Sequence, residues 1–148
     1  WIWDLVRESL GRRSFGGAYG TPIWSSDGQS IFYQSEQNAT AEIWRTASNR
    51  SPIAEFITST PFSRIDLKMI PPSGDLIVYS ENTPTGGIYT FDLSNTNSEN
   101  VHEPLINPPG FRVNLSRISP DSNWITYLSN ETGGKAIICT VFPEHYAG

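Results

Sequence analysis

Few side chains in this sequence combine the residue type and the spacing that chemistry would require. The two histidines, His102 and His145, and the single cysteine, Cys139, do not form a spacing typical of metal ligands. A nucleophilic cysteine needs a neighbouring base, and only His145 lies near Cys139 in sequence. We therefore assign the histidines structural or solvated roles. Cys139, in the apolar run 137–139, is predicted to be a small buried side chain.

Two acidic residues, Asp27 and Asp121, lie in short polar turns between apolar runs. Asp27 belongs to Ser-Asp-Gly at 26–28, and Asp121 belongs to Pro-Asp-Ser at 120–122. An aspartate in such a turn hydrogen-bonds to its own backbone, so we predict that both are turn formers. The sequence also lacks the G-x-S-x-G, H-E-x-x-H and glycine-rich phosphate motifs. We predict no catalytic, metal-ligating or cofactor-binding residue here, and no enzymatic activity of the segment itself.

Composition and charge narrow the possible partners. The chain has 148 residues, 12% aromatic and 17% charged, which is typical of one packed globular domain. Its formal net charge is −5 and its only lysines are Lys68 and Lys135, so a nucleic-acid partner is not expected. No run of about 18 apolar residues is present, so we expect no membrane contact. Because residue 1 is Trp and the only methionine is Met69, we expect a piece of a longer chain.

Three polar turns recur along the chain with similar surroundings, at residues 26–28, 72–74 and 120–122. The third residues of the first two turns are 74 − 28 = 46 residues apart, and the central residues of the last two are 121 − 73 = 48 residues apart. A fixed period in this range is typical of repeat proteins such as propellers. Each turn is followed by an apolar run that contains one of the matching tyrosines, Tyr33, Tyr79 and Tyr127.

Each repeat is predicted to consist of β-strands. The runs are short, rich in β-branched and aromatic residues, and bounded by turn residues, and none has a convincing helical period. The best helical candidate, 5–13, contains Gly11 and is better interpreted as a strand end and turn. The turns fit hairpins in which a type I turn is followed by a left-handed residue. Ser122 takes the place of glycine in the third turn, at a cost of about 1–2 kcal/mol.

Five tryptophans offer aromatic surface for packing or for recognition. Trp24, Trp44 and Trp124 lie in predicted strands, and we predict that they pack between neighbouring sheets. An aromatic ring at the rim of the fold remains the alternative, and it would serve ligand recognition.

The first repeat carries the residues of a known family. The stretch 22–35, PIWSSDGQSIFYQS, resembles the P-x-W-S-x-D-G-x-x-I-x-[FY]-x-S repeat of TolB-type (WD-like) β-propellers. The last repeat is similar to those of propellers attached to bacterial serine/threonine kinases and regulators. The resemblance implies an all-β fold, a β-propeller fragment of about three four-stranded antiparallel blades. It implies repeat units at 21–66, 67–114 and 115–148, the last incomplete, after the end of a preceding unit at 1–20.

The same resemblance carries expectations about function. It implies a non-catalytic module for protein or ligand interaction or sensing, in a longer bacterial signalling or envelope protein, and favours a periplasmic or other extracytoplasmic location. The rim loops 37–40, 83–87 and 95–109 are the candidate surfaces for a protein or peptide partner. The alternative is the substrate-gating propeller of a prolyl-oligopeptidase-type serine hydrolase. Because propellers have 4 to 8 blades, we expect further blades from the parent chain or a second copy.

Overall fold

The computed structural model describes residues 1–11, 18–37, 40–49, 53–94 and 101–143. Short runs of β-branched and aromatic residues form strands throughout this part, and no helix in it is long and apolar enough to cross a membrane. Its strands are β1 (Ile2–Asp4), β2 (Ser9–Gly11), β3 (Ala18–Tyr19), β4 (Ile23–Trp24), β5 (Ser30–Gln37), β6 (Thr40–Ala47), β7 (Ala54–Ser59), β8 (Ile65–Met69), β9 (Leu76–Glu81), β10 (Gly87–Asp92), β11 (His102–Ile106), β12 (Val113–Ile118), β13 (Trp124–Ser129) and β14 (Ala136–Val141).

The strands form antiparallel sheets in chain order. After a β1–β2 hairpin, the first sheet has β3 and β4 one after the other along one edge of β5, with β6 on the other edge of β5 and β7 beyond β6. The second sheet has the order β8-β9-β10-β11, and the third has β12-β13-β14. The prediction of an all-β propeller fragment of about three blades is confirmed. The boundaries of the repeat units stay a prediction.

Side chains alternate along β9, so the second sheet contributes to two cores. Ile77 and Tyr79 belong to the core shared with the first sheet, and Leu76 and Val78 belong to the core shared with the third. All four are buried, because β9 is covered on both faces. The first core contains Ile23, Phe32, Ala41, Ile43, Ile65, Leu67, Ile70, Ile77, Tyr79, Tyr89 and Phe91, and the second contains Leu76, Val78, Ile88, Val113, Ile118, Ile125, Tyr127 and Phe142.

The three repeated hairpin turns have the backbone that the sequence predicts. Gly28, Gly74 and Ser122 have φ values of 68°, 82° and 59°, all in the left-handed region. Each donates its N–H to the carbonyl oxygen three residues earlier, at 3.0, 2.9 and 2.9 Å respectively. Ser122 therefore keeps the geometry of its two glycine counterparts despite its side chain.

Two other segments test the sequence-based assignments. The prediction of a rim loop over 95–109 is wrong in part, because His102–Ile106 forms β11, the outermost strand of the second sheet. Pro104 is tolerated there because the strand lies at a sheet edge. The prediction that 5–13 is a strand end and turn agrees with the structure at residues 5–11, where a turn leads from Asp4 into β2. Residues 12 and 13 lie outside the described residues.

Candidate functional site

Asp27 and Asp121 are held by the turns in which they lie. The Asp27 carboxylate accepts a hydrogen bond from Ser25 Oγ at 2.6 Å. The Asp121 carboxylate accepts hydrogen bonds from Ser119 Oγ and from the Asn123 N–H, the latter at 3.2 Å. These bonds, those from the serine hydroxyls foremost, lower the pKa of both carboxyls. Both residues are turn formers, as predicted.

His102 joins the outermost strands of the first and second sheets. Its Nε2 lies 3.1 Å from the Ser59 carbonyl oxygen, and its Nδ1 lies 2.8 Å from the Tyr79 hydroxyl. Because a carbonyl oxygen only accepts, Nε2 carries the proton and Nδ1 accepts from Tyr79. The imidazole also stacks on Phe91, with the ring centroids 5.1 Å apart. Burial lowers the pKa of His102 against the opposing effect of Ser59, so the ring is a neutral structural bridge.

Tyr79, one of the three repeated tyrosines, is at the centre of this bridge. It is 0% exposed, and burial raises the pKa of its hydroxyl well above the usual range. Tyr89 stacks on it at a centroid distance of 5.8 Å, and the Tyr89 hydroxyl accepts a hydrogen bond from Asn107 Nδ2 at 3.1 Å. The Tyr79 hydroxyl is therefore a hydrogen-bond donor to His102.

The remaining candidate reactive groups lie apart from one another. The prediction that Cys139 is buried is wrong: the alternation of β14 directs Ile138 toward the second core and Cys139 to the opposite, exposed face. His145 lies outside the described residues. Among the described residues, no three His, Cys, Asp or Glu side chains come together as metal ligands. Burial lowers the pKa of Lys68, whose Nζ lies 3.8 Å from an Asp66 carboxylate oxygen.

The tryptophan cleft is a cavity of about 380 Å³ between the β1–β2 hairpin and the first sheet. Trp24 is 54% exposed there, so it is only partly covered by a neighbouring element. Trp44 instead packs edge-on against Phe56 on the adjacent strand, at a centroid distance of 5.5 Å. Trp24 and Trp44 therefore do not pack between neighbouring sheets in the way that the sequence predicted. The lining of the cleft includes Trp1, Trp3, Trp24, Ile31 and Tyr33.

The outer face is the side of the third sheet that points away from the second, and it carries Trp124, Leu128, Ile137, Cys139 and Val141. Cross-strand pairing of Trp124 with Val141 and of Leu128 with Ile137 places these side chains together. Trp124 is 48% exposed and Val141 is 58% exposed. Exposed apolar surface of this kind marks a contact surface.

The turn groove is an open depression of about 600 Å³ where the repeated hairpin turns of the three sheets approach one another. Polar groups of one turn face apolar groups of the others across it. Its lining consists of Ser26, Asp27, Met69, Ile70, Pro72, Ile118, Ser119 and Pro120. Sequence reasoning identified these turns as hairpins but not their convergence, because convergence depends on how the sheets pack.

The rim loops named from the sequence are described only in part. In the loop 83–87, the Gly86 N–H donates to Thr83 Oγ1 at 3.2 Å, and Gly86 has a φ of 58°. Residues 38 and 39 of the loop 37–40 and residues 95–100 of the segment 95–109 lie outside the described residues.

Comparison with known proteins agrees with this architecture. No family model and no curated protein matches the sequence. Among solved structures, TolB from Acinetobacter baumannii is similar over 93% of this chain and 36% of its own, with 20% identity and a TM-score of 0.68. An oligogalacturonate lyase from Vibrio parahaemolyticus matches 84% of this chain and 36% of its own, with 18% identity and a TM-score of 0.59. Prolyl oligopeptidase B from Galerina marginata matches 81% of this chain and 18% of its own, with 11% identity and a TM-score of 0.56.

These likenesses concern the fold. The chain spans 36% of the length of the TolB structure and 18% of the prolyl oligopeptidase, so it corresponds to part of each protein. The sequence resemblance to TolB-type repeats and the similarity to the TolB structure agree. The chain therefore has the fold of part of a TolB-like β-propeller.

Proposed function

We propose that this chain is a non-catalytic β-propeller module that binds a protein or peptide partner, within a longer bacterial signalling or envelope protein. The observation that carries the proposal is the turn groove, in which three repeated turns place apolar and polar groups around one open depression. A groove with both kinds of group suits a peptide, whose side chains and backbone need both. By contrast, His102, Asp27 and Asp121 are hydrogen-bonded within the fold.

The tryptophan cleft and the outer face have a different role in this proposal. They lie on the two flanks of the series of sheets, and equivalent surfaces between the sheets are buried in the two cores. We propose that further blades, from the parent chain or a second copy, cover them to complete a ring. The partner then contacts the turn groove and the rim loops.

Selection of a random-peptide library on the immobilised 148-residue chain tests the proposal. We expect families of related peptides whose affinity falls about tenfold in Ser26→Arg, which places a long charged side chain in the groove. The control Lys135→Ala, in an exposed loop, leaves affinity within about twofold. A selection without enrichment, or binding that Ser26→Arg leaves unchanged, contradicts the proposal. Turnover of ester or prolyl-peptide substrates by the purified chain contradicts its non-catalytic part.

The second candidate is the substrate-gating propeller of a prolyl-oligopeptidase-type hydrolase. The similarity to prolyl oligopeptidase B over 81% of this chain favours it. The coding sequence beside this segment discriminates between the two. A downstream G-x-S-x-G motif supports the hydrolase, and an adjoining kinase or winged-helix domain supports the sensing module.

A further inference from the structure

The three hairpin turns that begin β5, β9 and β13 carry only negative charge. With the residues beside them, these turns span 25–30, 70–75 and 118–124. Each segment contains one aspartate, Asp27, Asp75 or Asp121, and none contains a lysine or an arginine. The formal net charge of the whole chain is −5, so the rest of the molecule does not reverse the sign of this field.

The cations nearest to these turns are engaged elsewhere or face away from them. Arg45 Nη2 lies 2.6 Å from a Glu55 carboxylate oxygen. The Lys68 side chain is only 8% exposed, and its Nζ lies 3.8 Å from an Asp66 carboxylate oxygen. Arg117 lies on the outer face, as its register with β13 shows. Two of the three cations therefore have a carboxylate of their own, and the turns keep an excess of negative charge.

A second depression adjoins the turn groove. This polar depression, of about 400 Å³, lies between the turns of the first and second sheets. Serines and two aspartates, Asp27 and Asp75, make up most of its lining. It shares Ser26 and Asp27 with the turn groove, so the two depressions have a common wall.

Both aspartates of the polar depression can accept further hydrogen bonds. Ser25 Oγ and the Gln29 N–H both donate to Oδ1 of Asp27, at 2.6 and 2.9 Å, so Oδ2 keeps its capacity to accept. The Asp75 side chain is exposed, and its carboxylate has no hydrogen bond or ion pair to any described residue. An ammonium or guanidinium group placed between Asp27 and Asp75 therefore meets two carboxylates with free lone pairs.

The turn groove supplies the apolar half of the site. Its apolar lining consists of Met69, Ile70, Pro72, Ile118 and Pro120. Ile70 and Ile118 are buried at its base, whereas the two prolines are exposed at its rim. Such a wall accommodates an aliphatic or proline side chain. Because the turn groove and the polar depression share a wall, one short peptide can fill the first with an apolar side chain and the second with a cation.

We infer that the turn groove and the polar depression together bind a cationic peptide segment, in which an aliphatic residue or proline lies within two positions of an arginine or lysine. Side chains two positions apart in an extended segment are separated by about 7 Å, which suits adjoining depressions. The cation lies between Asp27 and Asp75. The inference rests on the proposed function, because it specifies the peptide that the same groove takes. Acidic segments are rejected by the charge of the turns.

The random-peptide selection on the 148-residue chain tests this pattern. We expect the enriched peptides to contain the apolar and cationic pair more often than the unselected library, and acidic residues less often. An enriched arginine peptide is then labelled, and its Kd is measured by fluorescence anisotropy. Replacing its arginine with citrulline, an uncharged isostere, should weaken binding about fivefold. Raising sodium chloride from about 0.05 M to 0.5 M should weaken the arginine peptide about threefold and the citrulline peptide little.

A double-mutant cycle locates the cation. Asp75→Asn removes one charge and no hydrogen bond of the fold. It should weaken the arginine peptide about threefold to fivefold and leave the citrulline peptide within about 1.5-fold, which also shows that the variant is folded. Glu131→Gln is the matched control, because it removes the same charge from the loop at the other end of β13. It should change the affinity for the arginine peptide less than about twofold.

The outcomes separate this inference from the proposed function. Enriched peptides without a cation overturn the inference, as does an arginine whose replacement by citrulline costs as much in Asp75→Asn as in the original chain. If those peptides are still weakened by Ser26→Arg, the proposed function stands and only the assigned class of peptide is wrong. A selection that enriches no peptide overturns both.

Discussion

Ser122 combines two unfavourable features, and replacing it with glycine should stabilise the protein. Its φ of 59° lies in the left-handed region, which costs a residue with a Cβ roughly 1–2 kcal/mol. Among the described residues its buried Oγ has no hydrogen-bond partner, which costs a further 1–3 kcal/mol or so. Glycine removes the backbone strain and the unpaired hydroxyl. It also makes the unfolded chain more flexible, which lowers the stability of the fold by roughly 0.5–1 kcal/mol. We expect Ser122→Gly to raise the free energy of unfolding by about 1–4 kcal/mol.

Urea titration followed by tryptophan fluorescence measures this change, and a thermal scan should show a rise in Tm of roughly 3–12 °C. Ser122→Ala separates the two contributions, because it removes the hydroxyl and keeps the left-handed strain. Gly28→Ala tests the opposite change, in which a left-handed glycine gains a Cβ. Gly28 has a φ of 68°, and an added Cβ meets no atom within 4 Å. It should lose about 1 kcal/mol through strain alone.

The three variants together can refute this reasoning. If Ser122→Gly is no more stable than Ser122→Ala, the left-handed backbone carries no cost at this turn. If Gly28→Ala is also neutral, the repeated turns do not require glycine, and their sequence pattern has another cause.

Three further predictions follow from the His102 bridge and from one rim loop. Tyr79→Phe should lose about 1–2 kcal/mol in urea titration, because it leaves Nδ1 of the half-buried His102 without a donor; an unchanged midpoint would show that the hydrogen bond is dispensable. Because the pKa of His102 is lowered in the folded state, the bridge should stabilise the protein above the ordinary histidine pKa of about 6.5 and lose this effect as the pH falls below it. The slope of stability against pH over that range should flatten in His102→Gln, and an equally steep slope would assign it to another group. Gly86→Ala should lose about 2–4 kcal/mol, since φ is 58° and a Cβ would lie 2.7 Å from the Val113 carbonyl oxygen; a loss below 1 kcal/mol would mean that the loop shifts freely.

The parts of the fold that the sequence predicted depend on local chemistry. The turns were identified because glycine, aspartate and proline have specific roles within four residues, and even the left-handed Ser122 followed from its place in the repeat. The strands around Tyr33, Tyr79 and Tyr127 followed from short apolar runs between those turns.

The errors concern contacts between distant segments. His102–Ile106 contains a proline and polar residues, and only its pairing with β10 and the bonds of His102 to Ser59 and Tyr79 make it a strand. Cys139 follows two isoleucines, and nothing local distinguishes the covered face of β14 from the open one. The turn groove was missed for the same reason, because it forms where three sheets meet.

Burial at a repeated position in this protein is a property of the neighbouring element. Ile43, Ile88 and Ile137 occupy equivalent positions on three strands, yet only Ile137 is exposed. Ile43 and Ile88 are covered by the next sheet, and covering an isoleucine is worth about 1.5–3 kcal/mol, so a further blade that packs on the outer face gains this energy at Ile137. A ligand that binds only the folded chain raises its apparent stability as its concentration exceeds Kd. A separately added blade or second copy that covers the outer face should therefore appear as a concentration-dependent rise in Tm, whereas a polypeptide that adheres equally to the unfolded chain should produce none.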